Sequence, residues 1–419
     1  MTTSSTTSST KFITFGCWNE FCCDESSPMY QVIDSISRNE GDVQNYFILG
    51  DNIYPDKKKD EETGIKKKVV NKDQLLGGLN LLKKKLLKMD YGNPIYGSKT
   101  DSKLYLLLGN HDIEEMEETG CDSLINERKF SMVVERGRFI FPENLSMFQE
   151  INENTLVIMI DTNIYSEEDL DCYRSLGYIS DNIKRELQDK QESVIYDELE
   201  RRGKNYKNII ICGHHPLIGF KNQTVKEKGT EYGIKGGVDV CESPLYLLLL
   251  DVIKPNTADD AKFFYLCADI HNYQKGTVSI NRKGNEEVMK VEQHIVGIGG
   301  AHSDDDYNGK YLDKEQKKQI LKENHSKEEI QERLNEVNVD YNRPAIIDID
   351  DIHLEYHLID HFSDYGYLVG EINGSGEVNL HAVNLKIKSK VDNTFSSGGK
   401  RTRRRNKRTR KRNKRTRRR

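Results

Sequence analysis

Short, wholly apolar runs punctuate this chain and set its architecture. They are YFIL (46–49), LYLLL (104–108), NTLVIMIDTN with its apolar centre (154–163), NIIIC (208–212) and KFFYLCA (262–268). Each is too short for a buried helix and is rich in β-branched or aromatic residues, so each predicts a strand covered on both faces. Residues 12–17, with Gly16 near the end, predict a first strand and its exit turn. Helical spacing predicts helices over 29–40, 75–88 and 181–202, the second interrupted by Gly77 and Gly78. Strands alternating with helices make the class α/β. From 345 to 387 apolar and polar positions alternate, and Asn373-Gly374 predicts a hairpin among returning strands. Two stretches carry charge without an apolar face of matching length. Residues 56–74 predict an exposed insert, and 303–343 an acidic-basic helical insert.

Composition changes this picture at the two ends. The chain has 419 residues, 36% hydrophobic and 31% charged, enough for one large core with appendages. Its formal charge of −5 conceals an asymmetry: 15 of the 63 Lys and Arg fall in 400–419, leaving 48 basic against 68 acidic residues, about −20, in the rest. That tail repeats every seven residues as KRTRRRN, KRTRKRN and KRTRRR and contains no apolar residue, so it predicts a disordered basic segment. SSGG (396–399) reads as a linker. The opening MTTSSTTSST lacks a basic start and an apolar stretch, which predicts a disordered leader, no secretory signal and an intracellular protein. No run approaches the roughly 20 residues of a membrane span, so no membrane partner is expected. Eight scattered cysteines without a C-x-x-C pair predict reduced thiols, with Cys212 and Cys267 inside apolar strands. The domain division that follows is a leader at 1–11, one domain at 12–390, and a linker with tail at 391–419.

Candidate chemistry clusters where the apolar runs end. Gly50-Asp51-Asn52-Ile53-Tyr54, Gly109-Asn110-His111-Asp112, Gly213-His214-His215-Pro216 and Asp269-Ile270-His271-Asn272 each follow one of them. Asp, Asn, His and Tyr supply oxygen and imidazole donors for hard and borderline metal ions. In α/β sheets the carboxyl ends of strands are where ligands bind. Four such segments point to one metal-centred site.

Over roughly residues 12–302 the chain resembles the calcineurin-like metallophosphoesterase superfamily, and within it the purple, tartrate-resistant acid phosphatase branch. The resemblance rests on G-D-N-x-Y, G-N-H-D, G-H-H-P and a variant of G-H-x-H, in that order, with softer matches at Ile160-Asp161-Thr162-Asn163 and Val296-Gly297-Ile298-Gly299-Gly300. It implies a four-layer αββα sandwich of two mixed sheets. It also implies two divalent or trivalent ions (Fe, Zn or Mn) and hydrolysis of a phosphate monoester by a metal-activated hydroxide. By that resemblance the first ion takes Asp51, Tyr54 and His271, and the second takes Asp51, Asn110, His214 and Asp269. His111 faces the substrate as proton donor or phosphate contact. His215 either meets phosphate or orients His214, while Asp112 and Asp161 support the site from behind. Two positions depart from the family pattern. Asp269 stands where the family has a histidine ligand, and Cys17 stands where it has an aspartate ligand. Cys17 is therefore either a thiolate ligand suited to zinc or iron, or a lost ligand.

The tail resembles the short Arg/Lys repeats that end many proteins of giant DNA viruses, which implies a viral source and a place in host cytoplasm, nucleus or virion. Its charge suits nucleic-acid phosphates or nuclear import, without aromatic residues for reading bases. The alternatives to a monoesterase are a phosphodiesterase or nuclease of the same fold, and a decayed member serving as a nucleic-acid-binding virion protein.

Overall fold

In the computed structural model, the described residues are 9–20, 24–59, 66–90, 93–94, 101–115, 120–133, 137–142, 145–228, 231–285, 287–301, 314–323, 326–336 and 344–387. Residues 1–8 of the expected leader, Cys22 and Cys23, the linker from 391 and the basic tail fall outside them, while Thr10 and Lys11, placed in the leader by the sequence, already belong to the first strand. The described residues up to Lys386 form one compact unit.

Two large mixed sheets carry the apolar runs. The first has six strands in the order Val378–Asn384, Gly366–Ile372, Thr10–Phe15, Val43–Ile48, Lys103–Leu106, Phe139–Ile140. Its four strands from Thr10–Phe15 onward run parallel, and the two returning strands add antiparallel. The second has eight strands in the order Ala345–Ile349, Ile352–Phe362, Tyr273–Arg282, Met289–Val296, Lys262–Cys267, Asn208–Cys212, Thr155–Ile160, Ser146–Asn152. Its four strands from Met289–Val296 to Thr155–Ile160 are parallel. Every residue of TLVIMI and NIIIC is buried, as expected of strands covered on both faces. The fold is thus mixed α/β with two large sheets and helices.

The helices form where their spacing placed them: Pro28–Asn39, Lys72–Lys85 and Ile183–Arg202. Ser27 caps the first by accepting from the Tyr30 amide, with Pro28 at the first position. Helices Lys314–Glu323 and Lys327–Glu336 fall within the predicted charged insert. The first charged insert gains a structure that the sequence reading did not specify. It contains an antiparallel hairpin, Asp56–Lys59 with Lys66–Val69, so strand pairing supplies its backbone partners despite the run of lysines. The expectation of reduced thiols also fails at one pair: Cys121 and Cys172, 51 residues apart in sequence, are joined in a disulfide. Spacing could not reveal it, because segments distant in sequence bring the two together. Cys17, Cys212, Cys241 and Cys267 are free and buried. Among the described residues no helix is long and apolar enough to cross a membrane.

A long hairpin, Ile218–Lys228 paired with Glu231–Val240, has no counterpart in the sequence reading. Its sequence is polar and carries no sustained apolar run. This hairpin borders the site.

Candidate metal centre

Both sheets deliver donors from the carboxyl ends of their parallel strands. Cys17, Asp51 and Asn110 leave the first sheet; His214 and Asp269 leave the second. Backbone hydrogen bonds hold the exits in place: Gly16 donates across to the Val296 carbonyl of the other sheet (3.0 Å), while Cys17 donates to Gly50 (3.1 Å) within the first set and Ala268 to His214 (2.8 Å) within the second. Cys17, Asp51 and Asp269 all hold left-handed backbone, with φ of 51°, 53° and 55°. A non-glycine residue there costs about 1 kcal/mol or more, and such strain gathers at functional sites. Gly109 permits the closest approach. A Cβ on it would lie 2.3 Å from Asp51 Oδ1 and 2.4 Å from the Asp51 amide nitrogen.

His214 is the hub. Its Nδ1 lies 2.6 Å from the Leu49 carbonyl, which can only accept, so the proton sits on Nδ1 and Nε2 presents a lone pair. Burial keeps this ring's pKa below its ordinary value. Around Nε2 stand Asp51 Oδ1 and Asn110 Oδ1, each at 3.3 Å, and Asp269 Oδ1 at 4.0 Å. Ligand atoms about 2.1 Å from a common ion lie roughly 3.0–3.5 Å apart along tetrahedral or octahedral edges. The His214 lone pair with the Asp51 and Asn110 oxygens is gathered at this spacing, which suits a cation, and Asp269 Oδ1 stands somewhat farther out at 4.0 Å. The other half is organised around Asp51 Oδ2. Tyr54 donates its phenol proton to it at 2.7 Å, the Cys17 thiol lies 3.7 Å away, and Tyr54 Oη is 2.9 Å from His271 Nε2. Burial first, and then the Asp51 charge, push both the thiol and the phenol well up, so in the ion-free protein both keep their protons.

All seven ligand candidates from the sequence, Cys17, Asp51, Tyr54, Asn110, His214, Asp269 and His271, are therefore linked by these contacts. The two catalytic candidates stand beside them. His111 donates its backbone N–H to Asp51 Oδ1 (3.3 Å), and its Nδ1 is 3.2 Å from Glu114. Burial alone would lower its pKa, but Asp51 and Glu114 raise it to about 9. His215 has both ring nitrogens engaged, Nδ1 with Thr162 Oγ1 (3.1 Å) and Nε2 with Glu167 (3.3 Å). Thr162 also accepts from the His214 and His215 amides, at 3.0 and 2.9 Å.

Behind the donors lies a buried network that the sequence signalled through Asp112 and Asp161. Asp112 accepts from the Asn52 amide (2.8 Å), the Asn52 side chain (2.9 Å) and the Gly109 amide (2.7 Å), so it ties the first two motifs together. Burial and the Asp51 charge lift Asp112 to about 7, and Glu127 behind it is pushed up further by burial. Trp18 donates to Asn52 Oδ1 (3.1 Å) and Asn19 to its carbonyl (2.8 Å). Asp161 accepts from the Asn163 amide (3.1 Å) and from Tyr173, shaping the exit that carries Thr162.

A cleft of about 220 Å³ opens beside the centre, lined by Asn110, Glu167, His215, Lys221, Asp239 and Asp269 among others. Lys221 Nζ is 2.6 Å from Asp269 Oδ2 and 2.7 Å from Asp239 Oδ2. Burial alone would depress this ammonium, but the two carboxylates outweigh it and raise its pKa above the ordinary lysine value. Sequence reading missed Lys221, Asp239, Glu167 and Glu114 because none lies in a strand-end motif.

No family model matches the chain, and no curated protein matches it. Among solved structures, GAP50, described as the anchor in the inner membrane complex of Plasmodium, aligns with a TM-score of 0.43 and 15% identity, over 91% of this chain and 90% of that one. PhoD aligns with a TM-score of 0.44 and 9% identity, over 90% of this chain and 68% of that one. Neither likeness bears on the reading below, which stands on the site.

Proposed function

We propose that this chain is a metal-dependent phosphoesterase acting on phosphate monoesters, with its two sheets stacked in the four-layer arrangement that the motifs imply. The observation that carries the reading is the gathering of Asp51 Oδ1, Asn110 Oδ1 and Asp269 Oδ1 around the His214 Nε2 lone pair, at the mouth of a polar cleft. Bound cations, two ions of iron, zinc or manganese in this reading, would lower the pKa of water and neutralise charge on phosphoryl oxygens. Asp51 would serve both ions; supporting this, its Oδ1 faces His214 while its Oδ2 faces Tyr54 and Cys17. Asn110, His214 and Asp269 would complete one ligand set, and Tyr54, His271 and Cys17 the other. Leu49 fixes the tautomer of His214 that a ligand needs. Glu114 orients His111 and supports its protonated form, suited to handing a proton to the leaving-group oxygen. Thr162 and Glu167 hold the His215 ring at the cleft wall, where it meets phosphate or steadies its neighbour.

The deciding experiment is metal analysis of the purified chain beside a hydrolysis panel of monoester, diester and nucleotide substrates, for wild type and Asp51→Asn. The expected result is bound metal, monoester turnover, and loss of most of both in the variant. Wild-type metal content and turnover in Asp51→Asn would refute the shared-carboxylate centre.

A further inference from the structure

The long hairpin brings a lysine to the cleft by a set of devices that serve no evident purpose of stability alone. Gln293, fully buried in the strand Met289–Val296, accepts from the Leu217 amide (2.8 Å) and donates to the Ile218 carbonyl (2.6 Å). Gln274, 1% exposed in the adjacent strand Tyr273–Arg282, does the same to Phe220, accepting from its amide (3.1 Å) and donating to its carbonyl (2.7 Å). A buried carboxamide is costly unless its hydrogen bonds are met, so these two clamps define where the hairpin strand lies. Immediately after the second clamp the hairpin slips register. Lys221 pairs with Gly237 and Thr224 with Lys235, so one strand advances three residues while its partner advances two. Gly237 takes φ of 119°, a conformation that suits glycine. Bulges of this kind re-aim side chains beside active sites.

Lys221 is the last residue in regular register before that slip, directly after the Phe220 clamp. Its ammonium meets Asp269 Oδ2, while the other oxygen of that carboxylate faces His214 Nε2. Lys221 therefore stands on the cleft side of the carboxylate and the donors stand on the other. Asp239, from the opposite strand of the hairpin, anchors it independently of Asp269. Two carboxylates account for two of the three N–H donors of an ammonium, leaving one for a ligand in the cleft. Among the described residues that line the cleft, Lys221 is also the one Lys or Arg, in a chain whose first 399 residues carry a balance of about −20.

We propose that Lys221 contacts the phosphoryl group of the substrate and so favours the dianionic phosphate of a monoester over the monoanionic phosphate of a diester. This rests on the phosphoesterase reading and names the charge class its site selects. Asp239 keeps the ammonium in place as the substrate arrives, and Asn110 and His215 line the same cleft.

The test is calorimetric binding of inorganic phosphate to the manganese-loaded full chain, comparing wild type, Lys221→Met, Lys221→Gln and Lys221→Arg, with metal content measured on the same samples. Losing one charge-assisted hydrogen bond should weaken phosphate binding about 10- to 100-fold in the Met and Gln variants, with part recovered in Lys221→Arg and metal content unchanged. The monoester-to-diester ratio of kcat/KM should fall in the same two variants. Should Lys221→Met fail to fold, the Gln variant, which keeps a polar head, carries the comparison. Wild-type phosphate affinity in the neutral variants would overturn the proposal. So would loss of metal together with phosphate, which would make Lys221 a support for Asp269. A wild-type chain that binds no phosphate sinks both this proposal and the phosphoesterase reading. One that binds phosphate through Lys221 but hydrolyses no ester sinks only the latter.

Discussion

Adding a single methyl group at Gly109 tests the geometry of the centre directly. Gly109 has φ of −101° and ψ of 176°, so alanine is at ease there and backbone strain plays no part. The obstacle is contact. The new Cβ would lie 2.3 Å from Asp51 Oδ1, 2.4 Å from the Asp51 nitrogen and 2.8 Å from His214 Cε1. Comfortable carbon contacts begin near 3.5 Å, so Asp51 and the Gly109 loop must part by about 1 Å. Overpacking of this sort costs about 1–3 kcal/mol of stability. Misplacing a reacting group by about 1 Å costs on the order of 100-fold in rate, and disturbing the support of a ligand costs about 10- to 100-fold in metal affinity. Gly109→Ala should therefore fold with a lowered Tm, bind metal at least about tenfold more weakly, and lose about two orders of magnitude in turnover of a small aryl phosphate. Gly41→Ala is the control, since a Cβ there meets nothing within 4 Å. The measurements are metal titration, thermal melting and steady-state kinetics on all three proteins. Wild-type metal affinity and turnover in Gly109→Ala would show that Asp51 does not sit against Gly109.

Three further expectations follow from particular residues. If the Cys17 thiol, 3.7 Å from Asp51 Oδ2, is a ligand, Cys17→Asp should keep activity and shift preference from zinc or iron toward manganese, while Cys17→Ala weakens one ion; equal metal content in wild type and Cys17→Ala would exclude coordination. Glu292, hydrogen-bonded by His294 and also paired with Lys275, is held at about 2 against an ordinary 4.5, so its stabilisation is present above about pH 4.5 and is lost as pH falls toward 2. The gap in urea midpoint between wild type and Glu292→Gln should accordingly be full at pH 7 and mostly lost by pH 2.5; an equal gap at both would refute this. A chain ending at Gly399 should keep small-ester turnover and lose duplex DNA binding, because the remaining residues carry about −20; unchanged DNA affinity at two salt concentrations would rule out the basic repeat as the binding segment.

The sequence by itself determined the strands that its apolar runs form and named candidate donors at their ends. Runs such as NIIIC and YFIL can be satisfied only by burial on both faces, so their strand character needed no tertiary information. Short polar motifs at their ends marked Asp51, Asn110, His214 and Asp269, because side chains leaving parallel strands must emerge at one edge. Tertiary structure decided what depends on contacts between distant segments. The disulfide between Cys121 and Cys172 joins two segments whose proximity no spacing encodes. The hairpin Ile218–Lys228 with Glu231–Val240 is polar, and its hold on the sheet comes from Gln274 and Gln293, residues some 50 to 75 positions away. Lys221 acquires its place beside Asp269 through those clamps, which fix the strand just before it. Periodicity reports which face of an element is buried; it is silent on hydrogen bonds between elements, and those bonds set the walls of this cleft.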